Sequence, residues 1–426
     1  MSVPTLGFSS FLPLEGSRVL GSGLKLAAVA ALFATSADCV FGIGIPEGYP
    51  TPRSMGLGGA LTAVANDESA FWTNPAGIAR VRKARSRQGV HILKFPNLTL
   101  GLNAASRSFY AAIQSASSSG IADVIESSDL NTSKPFYARA AAFPAILFEA
   151  HKNQPMGLGV FSNSVVHIFI DKNTPSDARV SAVTDVGGNF GYAFTNAANR
   201  ISMGLTLRPT YRYAYEDTVN SGELKSRTAL LNRIKKDSNR GFGLGADFGF
   251  LYTIADFWFP TVGFTVRNLP TGCVDDYLNP FTEIRQKICG TVYSGSKGNP
   301  EALSVVDPTD TRIGFSISPR IAKNYSVRLS ADIQNIYLGT GNVYYGLPGI
   351  DFAKMLHGGI EIFSGNPLER APFAVQVGAN QGFLTWGILL NTSIVSLEFA
   401  SYAVDVSNTL KRVEDRRYIA SLSMML

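Results

Sequence analysis

Charge is scarce in this chain. Asp, Glu, Lys and Arg make up 16% of its 426 residues, where ordinary soluble domains carry roughly 25%. Long hydrophobic runs are missing too. The longest clean apolar run, Leu26 to Ala34, has nine residues, far short of the ~18 a spanning helix needs, so a polytopic helical membrane protein is excluded. There are only three cysteines and four histidines. His91, His151, His167 and His357 show no ligand spacing, and neither a P-loop nor a Gly-x-Ser-x-Gly elbow occurs. No catalytic residue, metal or cofactor is expected, and the chain does not read as an enzyme. What is present is 41 glycines, 27 phenylalanines and 16 tyrosines at a mean hydropathy of +0.09. That much apolar surface would collapse, so a disordered chain is excluded as well. A large β-rich soluble protein and a membrane β-barrel remain.

The run from Leu26 follows Arg18 and Lys25 and precedes Thr35-Ser36-Ala37. A positive stretch, a short apolar stretch and small residues before the cut describe a secretory signal over 1–37. The alternative is a buried N-terminal helix. Removing 1–37 lowers the formal charge from +6 only slightly, and that excess argues for no particular partner.

Beyond residue 88 the signal has period two. In Gly241–Tyr252, Phe242, Leu244, Ala246, Phe248, Phe250 and Tyr252 fall on one face, and glycines with Asp247 on the other. From Ile201 the apolar set is Ile201, Met203, Leu205, Leu207, Pro209, Tyr211, Tyr213 and Tyr215. Opposite it stand Ser202, Gly204, Thr206, Arg208, Thr210, Arg212, Ala214 and Glu216. Alternate side chains of a strand point to opposite faces, and eight apolar positions in register exceed a globular strand of ~5–6 residues. The same alternation recurs at Tyr325–Gln334, at Phe373–Asn380 and at the extreme C-terminus, Tyr418–Leu426.

Counting gives fourteen strands, near 88–104, 135–149, 156–170, 179–195, 199–216, 240–254, 257–269, 311–319, 324–337, 355–364, 372–380, 383–391, 394–405 and 417–426. An even number suits a bacterial single-chain barrel. Connections alternate in length. Short links such as 151–155, 195–199 and 321–323 take one set, and the other set holds 105–134, 171–178, 217–239, 270–310, 338–354 and 406–416. Only Gln381-Gly382 breaks the parity. Turns on one side and long loops on the other are a property of outer-membrane barrels, and a sandwich has no reason to show it. The expectation is an all-β chain: a fourteen-stranded antiparallel transmembrane barrel in the bacterial outer membrane, spanning 88–426. Both termini are expected on the periplasmic side, with outer-membrane lipid around the wall.

Inward charges on these strands, Arg208, Arg212, Asp247, Arg328 and Asp332, are candidates to orient an acidic head group; the alternative is an ion-pair network bracing the barrel. Cys273 and Cys289 lie 16 apart in one polar insertion, and in an oxidising compartment are most simply a disulfide. Segments 105–128 and 222–236 carry near-helical apolar stripes, read as helices at the barrel mouth. The basic run Arg80, Arg82, Lys83, Arg85 and Arg87 reads as a rim feature and not as a nucleic-acid patch.

Residues 38–87 form a separate Gly/Ala-rich block that cannot face lipid, and so is expected inside the barrel as a helical hatch. Asn74 suits an N-cap and Pro75 the first helical position. Ser54-Met55-Gly56-Leu57-Gly58-Gly59-Ala60, then Ala65-Asn66-Asp67-Glu68-Ser69-Ala70, then Asn74-Pro75-Ala76-Gly77 resemble the hatch signature of the FadL/TodX-like outer-membrane proteins, and closely that of PorV/PorQ-type relatives. The resemblance implies hatch or gate roles for Gly56, Gly58, Gly59, Asn74, Pro75 and Ala76. It implies passive, hatch-gated uptake of a hydrophobic small molecule such as a long-chain fatty acid. In the PorV-like branch it implies instead work with secreted or surface proteins. The chain departs from the barrel pattern in ending on Leu426, where an aromatic residue is usual.

Overall fold

The structure, a computed structural model, describes residues 49–81, 90–106, 136–151, 153–170, 177–220, 232–233, 236–278, 285–294, 306–336, 354–365, 371–392, 394–406 and 413–425. The signal segment, Cys39, the basic run beyond Arg80 and most of the two striped loop segments lie outside the described residues.

Fourteen antiparallel strands close into one barrel. The first, Val90–Asn103, pairs with the last, Glu414–Met425, through Leu98↔Leu422 and Leu102↔Tyr418. The second is interrupted: Phe136–Ala142 and Ala145–His151 lie along one line between the first strand and the third, Gln154–Ile170. Proline has no N–H for a ladder, and Pro144 marks the break. The fourth, Asp177–Thr195, and fifth, Ile201–Asn220, are 19 and 20 residues long. The sixth is Asn239–Thr253. The seventh, Thr261–Arg267, and eighth, Asp310–Ile317, have only 7 and 8. The ninth to thirteenth are Tyr325–Ile336, Leu356–Ser364, Phe373–Asn380, Phe383–Asn391 and Val395–Asp405.

Each wall strand has one lipid-type face and one interior face. Met203, Leu205, Tyr211, Phe242, Leu244 and Tyr252 are exposed, while Ser202, Gly204, Thr206, Arg208, Thr210 and Arg212 between them are buried. The alternation read from the sequence is thus that of the barrel wall, with one correction. Tyr215 is buried. It lies past Ala214↔Asn239, the last pairing of the fifth strand with the sixth, where the two-faced wall ends. Apolar outer bands of this kind are stable against lipid, where a midplane charge costs ~2–4 kcal/mol.

Gln381 and Gly382, the one short link at the long-loop end, have φ of 52° and 82°. Two positive φ values make the mirror-image turn whose twist suits a hairpin. The long insertion between strands seven and eight folds by itself. Gly272–Leu278, Arg285–Val292 and Val306–Pro308 form a three-stranded sheet. Cys273 and Cys289 face each other across it and are joined in a disulfide.

Candidate functional site: the barrel interior

Residues 49–81 touch the buried, inward set of wall residues and so lie inside the barrel. Three short helical turns build this segment, and each begins on a residue that can cap it. Thr51 accepts from the Ser54 N–H at 3.2 Å ahead of Pro52–Gly56. Asp67 accepts from the Ser69 N–H at 2.8 Å ahead of Glu68–Phe71. Asn74 accepts from the Ala76 N–H at 3.1 Å ahead of Pro75–Arg80, with Pro75 where no N–H is needed. The Asn74 amide also donates to the carbonyls of Thr62 at 2.7 Å and Phe250 at 3.2 Å. One side chain therefore caps a turn and ties it to the sixth strand.

Glycines let segment and wall approach each other. A Cβ on Gly249 would lie 2.1 Å from Asn74 Oδ1, and one on Gly204 2.3 Å from the Pro75 carbonyl. Gly58, at φ +65°, would clash likewise with the Ala379 carbonyl at 2.3 Å. Inward glycines on strands four to six leave this room. The seat is wider than that, since Gly263, Gly314, Gly359, Gly378 and Gly387 also abut the segment. Polar groups of the later strands complete it. His357 Nδ1 donates to the Gly58 carbonyl at 2.7 Å, Gln334 Nε2 to that of Gly59 at 2.7 Å, and Thr385 Oγ1 to that of Gly56 at 3.0 Å. Asp332 accepts from the Thr62 N–H at 2.9 Å.

Buried ion pairs run from segment to wall. Arg53 donates to Glu361 from Nε and Nη2, and to Asp67 at 2.6 Å. Arg328 shares the same Glu361. Glu68 meets Lys94, which also reaches Glu398 at 3.0 Å. Burial pushes the Asp67 carboxyl up, but Arg53 and then Lys94 reverse this and hold it below the usual carboxylate range. Burial likewise opposes the Arg53 charge, and Glu361 and Asp67 more than restore it.

All five inward charges singled out in the sequence are engaged. Arg208 pairs with Asp247 at 2.6 Å and lies over the Trp72 ring at 5.2 Å. Arg212 binds Asp185 and Asp307, each at 2.7 Å, and covers the Tyr293 ring at 4.0 Å. The Tyr293 hydroxyl donates to Asp307 at 2.7 Å, so this cluster clamps the three-stranded sheet to the wall. Asp332 holds the inner segment directly, and Arg328 shares the Glu361 that binds Arg53. These contacts make a brace.

Sequence reasoning missed the apolar part of the interior. Tyr49 stacks on Trp72 at 4.9 Å, and Phe143 meets both rings and Phe71 within 5.6 Å. Phe161 packs edge-on against Trp72 at 4.9 Å. Phe143 is fully buried at the break in the second strand. The Phe143-Pro144 pair was the available signal, because a proline inside an alternating run marks a break.

At the short-turn end a cavity of about 190 Å³ remains between the inner segment and the wall. Val64, Asn66 and Arg80 line it from the segment, Thr261, Ser316 and Arg328 from the wall. Exposed turn residues Asn199, Arg200 and Asp256 form its rim.

No protein-family model matches the chain, and no curated protein matches it by sequence. Solved structures do. A mutant of the monoaromatic hydrocarbon channel TodX aligns over 88% of this chain and 98% of its own, at 10% identity and a TM-score of 0.52. The Ralstonia pickettii toluene transporter TbuX aligns over 88% and 97%, at 12% identity and 0.49. The Pseudomonas putida toluene transporter TodX aligns over 91% and 99%, at 10% and 0.47. A fourteen-strand wall with an apolar outer band and the inner motif of 53–77 point the same way: the chain has the fold of the FadL/TodX-like outer-membrane barrels.

Proposed function

We propose that this chain is a passive outer-membrane channel for hydrophobic small molecules, with residues 38–87 as its hatch. One observation carries the reading. Beside the glycines, hydroxyls and ion pairs of the interior, the rings of Tyr49, Phe71, Trp72, Phe143 and Phe161 form a buried aromatic seam where the second strand breaks. An apolar solute gains by leaving water for such a seam at roughly 25 cal/mol per Å² buried, while a wet pore offers it nothing. Channels for monoaromatic hydrocarbons share the fold, which supports the same class of cargo here. Long-chain fatty acids belong to the same proposal, as acids with an apolar tail.

Gating is local on this reading. Gly56, Gly58, Gly59, Asn74, Pro75 and Ala76 hold the hatch to the wall by close backbone contact, and expelling the whole segment would unpair buried charges at several kcal/mol each. Rearrangement of the aromatic seam costs less and opens a path beside the hatch. The short-turn end faces the periplasm in this arrangement. The test is uptake of labelled toluene and labelled oleate into proteoliposomes. Faster uptake of either than into protein-free vesicles is expected; equal rates for both would refute the channel.

A further inference from the structure

Two neighbouring turns at the short-turn end carry apolar side chains that the barrel itself does not use. Residues 254–260 join the sixth strand to the seventh, and 318–324 join the eighth to the ninth. The Ser318 N–H donates to the Trp258 carbonyl at 2.6 Å and ties the two turns together. At the tip of the first, Phe257 and Trp258 stack at 4.7 Å and are 71% and 49% exposed. Ile254 beside them and Ile321 on the second turn are exposed as well. Trp258 and Phe259 hold φ of 59° and 48°, in the left-handed region that bulky residues rarely adopt. Glycine or asparagine would make the same bend without that strain, so the bend alone does not account for the rings.

Strand length and charge say what surrounds them. Strands seven and eight have 7 and 8 residues, too few to lift their turns clear of a ~25 Å apolar band. Exposed Tyr252 and Phe315 carry that band up to the two turns on the outer face. Rings at this level lie among lipid headgroups, where Trp is enriched because it joins an apolar body to a polar edge. The charge there is positive. Asp256 is matched by Arg200 at 2.9 Å. Arg320 and Lys323 are exposed and, among the described residues, meet no carboxylate. Residues 317–325 contain no acidic side chain to balance them.

We infer that turns 254–260 and 318–324 form a binding site for an anionic glycerophospholipid of the periplasmic leaflet. Phe257, Trp258 and Ile321 lie against its acyl chains, and Arg320 and Lys323 take its phosphate. The site is on the outside of the barrel, and its occupant is a component of the membrane, distinct from any cargo. It rests on the proposed function only in that the short-turn end faces the periplasm.

Trp258 supplies the readout. The protein is reconstituted into phosphatidylcholine vesicles, and its fluorescence less that of Trp258→Phe is followed as chain-brominated phosphatidylglycerol, or phosphatidylcholine brominated likewise, is added. Each basic residue near anionic lipid is worth roughly fivefold. Half-maximal quenching is therefore expected at a mole fraction of phosphatidylglycerol about tenfold or more below that of phosphatidylcholine. Arg320→Gln and Lys323→Gln should each raise the phosphatidylglycerol fraction about fivefold and leave the phosphatidylcholine curve unchanged. Heat-modifiable mobility reports folding, and either variant decides the matter if the other does not fold. Equal fractions for the two lipids overturn the site, as does a phosphatidylglycerol preference that survives in the variants. Absence of quenching by either lipid, as for rings in water or under a protein partner, overturns it too. Asn324→Cys, labelled above the wild-type level by an impermeant maleimide on intact cells, would put the turns in the outer leaflet with lipid A and reject the assignment. None of these measurements involves cargo, so failure of toluene uptake would refute the channel and leave the site standing.

Discussion

Arg53 of the inner segment and Glu361 of the tenth strand are joined by two parallel hydrogen bonds, Nε to Oε1 at 2.9 Å and Nη2 to Oε2 at 3.1 Å. The pair is buried on both sides, 308 residues apart in sequence, and it links hatch to wall. Removing one partner of such a pair leaves a charge without compensation, at ~3–5 kcal/mol. Glu361→Ala takes the carboxylate from Arg328 and leaves Arg53 with Asp67 alone, cutting the tie from hatch to wall. It is expected to expose the trypsin site at Arg53, which should resist cleavage in the wild type.

Glycine spacing makes a sharper test, because two glycines of one barrel give opposite outcomes. A Cβ on Gly249 would run into Asn74 and the Ala76 amide, whereas one on Gly358 has only the Ser330 carbonyl near it, at 3.8 Å. Gly249→Ala is expected to lower the thermal midpoint and loosen the hatch, and Gly358→Ala to leave both unchanged. Heat-modifiable mobility, followed against temperature, reads the difference.

Phe143 touches Tyr49, Phe71 and Trp72. Phe143→Ala is expected to cost ~3–5 kcal/mol, as large-to-small changes of buried aromatic residues do. On the channel proposal the vacated space also quickens toluene uptake. Slower uptake, with the barrel intact, would place the route elsewhere.

Cys273–Cys289 closes a loop of 16 residues, worth ~3 kcal/mol in the chain-entropy model. Because it staples a sheet that folds outside the wall, reduction is expected to leave heat-modifiable mobility alone. Proteolysis within 272–308 should increase. The Arg212–Asp307 contact holds that sheet to the mouth and Tyr293–Asp307 braces it from within, so Asp307→Asn should mimic reduction even with the disulfide present.

Acid sensitivity follows from Asp67. Its carboxyl is held below the ordinary range, so its contribution to holding the hatch is complete above an unfolded value near ~3.9. It fades only as pH falls through the lower folded value. Trypsin resistance at Arg53, tested after return to neutral pH from acid pulses, should survive pulses to about pH 4. Loss is expected only in stronger acid.

Much of this architecture is legible in the sequence for a physical reason. A lipid-facing wall imposes a strict two-residue period, and Met203 to Tyr211 or Phe242 to Tyr252 obey it whatever the partner strand. Caps are local as well, and Asn74-Pro75 announces its turn without help from the rest of the chain. What connects hatch to wall is not local. Nothing beside Arg53 in sequence indicates Glu361, and nothing beside Glu68 indicates Lys94 or Glu398. The lumen charges Arg208, Arg212, Asp247, Arg328 and Asp332 were visible as inward residues. Whether they faced ligand or one another depended on strand register, which is set across the whole barrel. The aromatic seam stayed hidden because Phe143 turns inward at the break in the second strand, where period two no longer tells inside from outside, and because nothing local to Phe161, on the inward phase of a regular strand, names its partners.

The unequal strands have a consequence for how the molecule meets its surroundings. At ~3.3 Å per residue and a tilt of ~40°, the 20-residue fifth strand rises roughly 50 Å along the barrel axis, about twice the ~25 Å apolar band of an outer-membrane barrel. The 7- and 8-residue strands beyond the sixth rise about 20 Å and barely fill that band. The barrel thus has a front and a back: a tall screen over strands four to six, and a low sill over seven and eight. The disulfide-stapled sheet springs from that low side, so the mouth of this barrel is finished by its own extended strands on one flank and by an inserted sheet on the other.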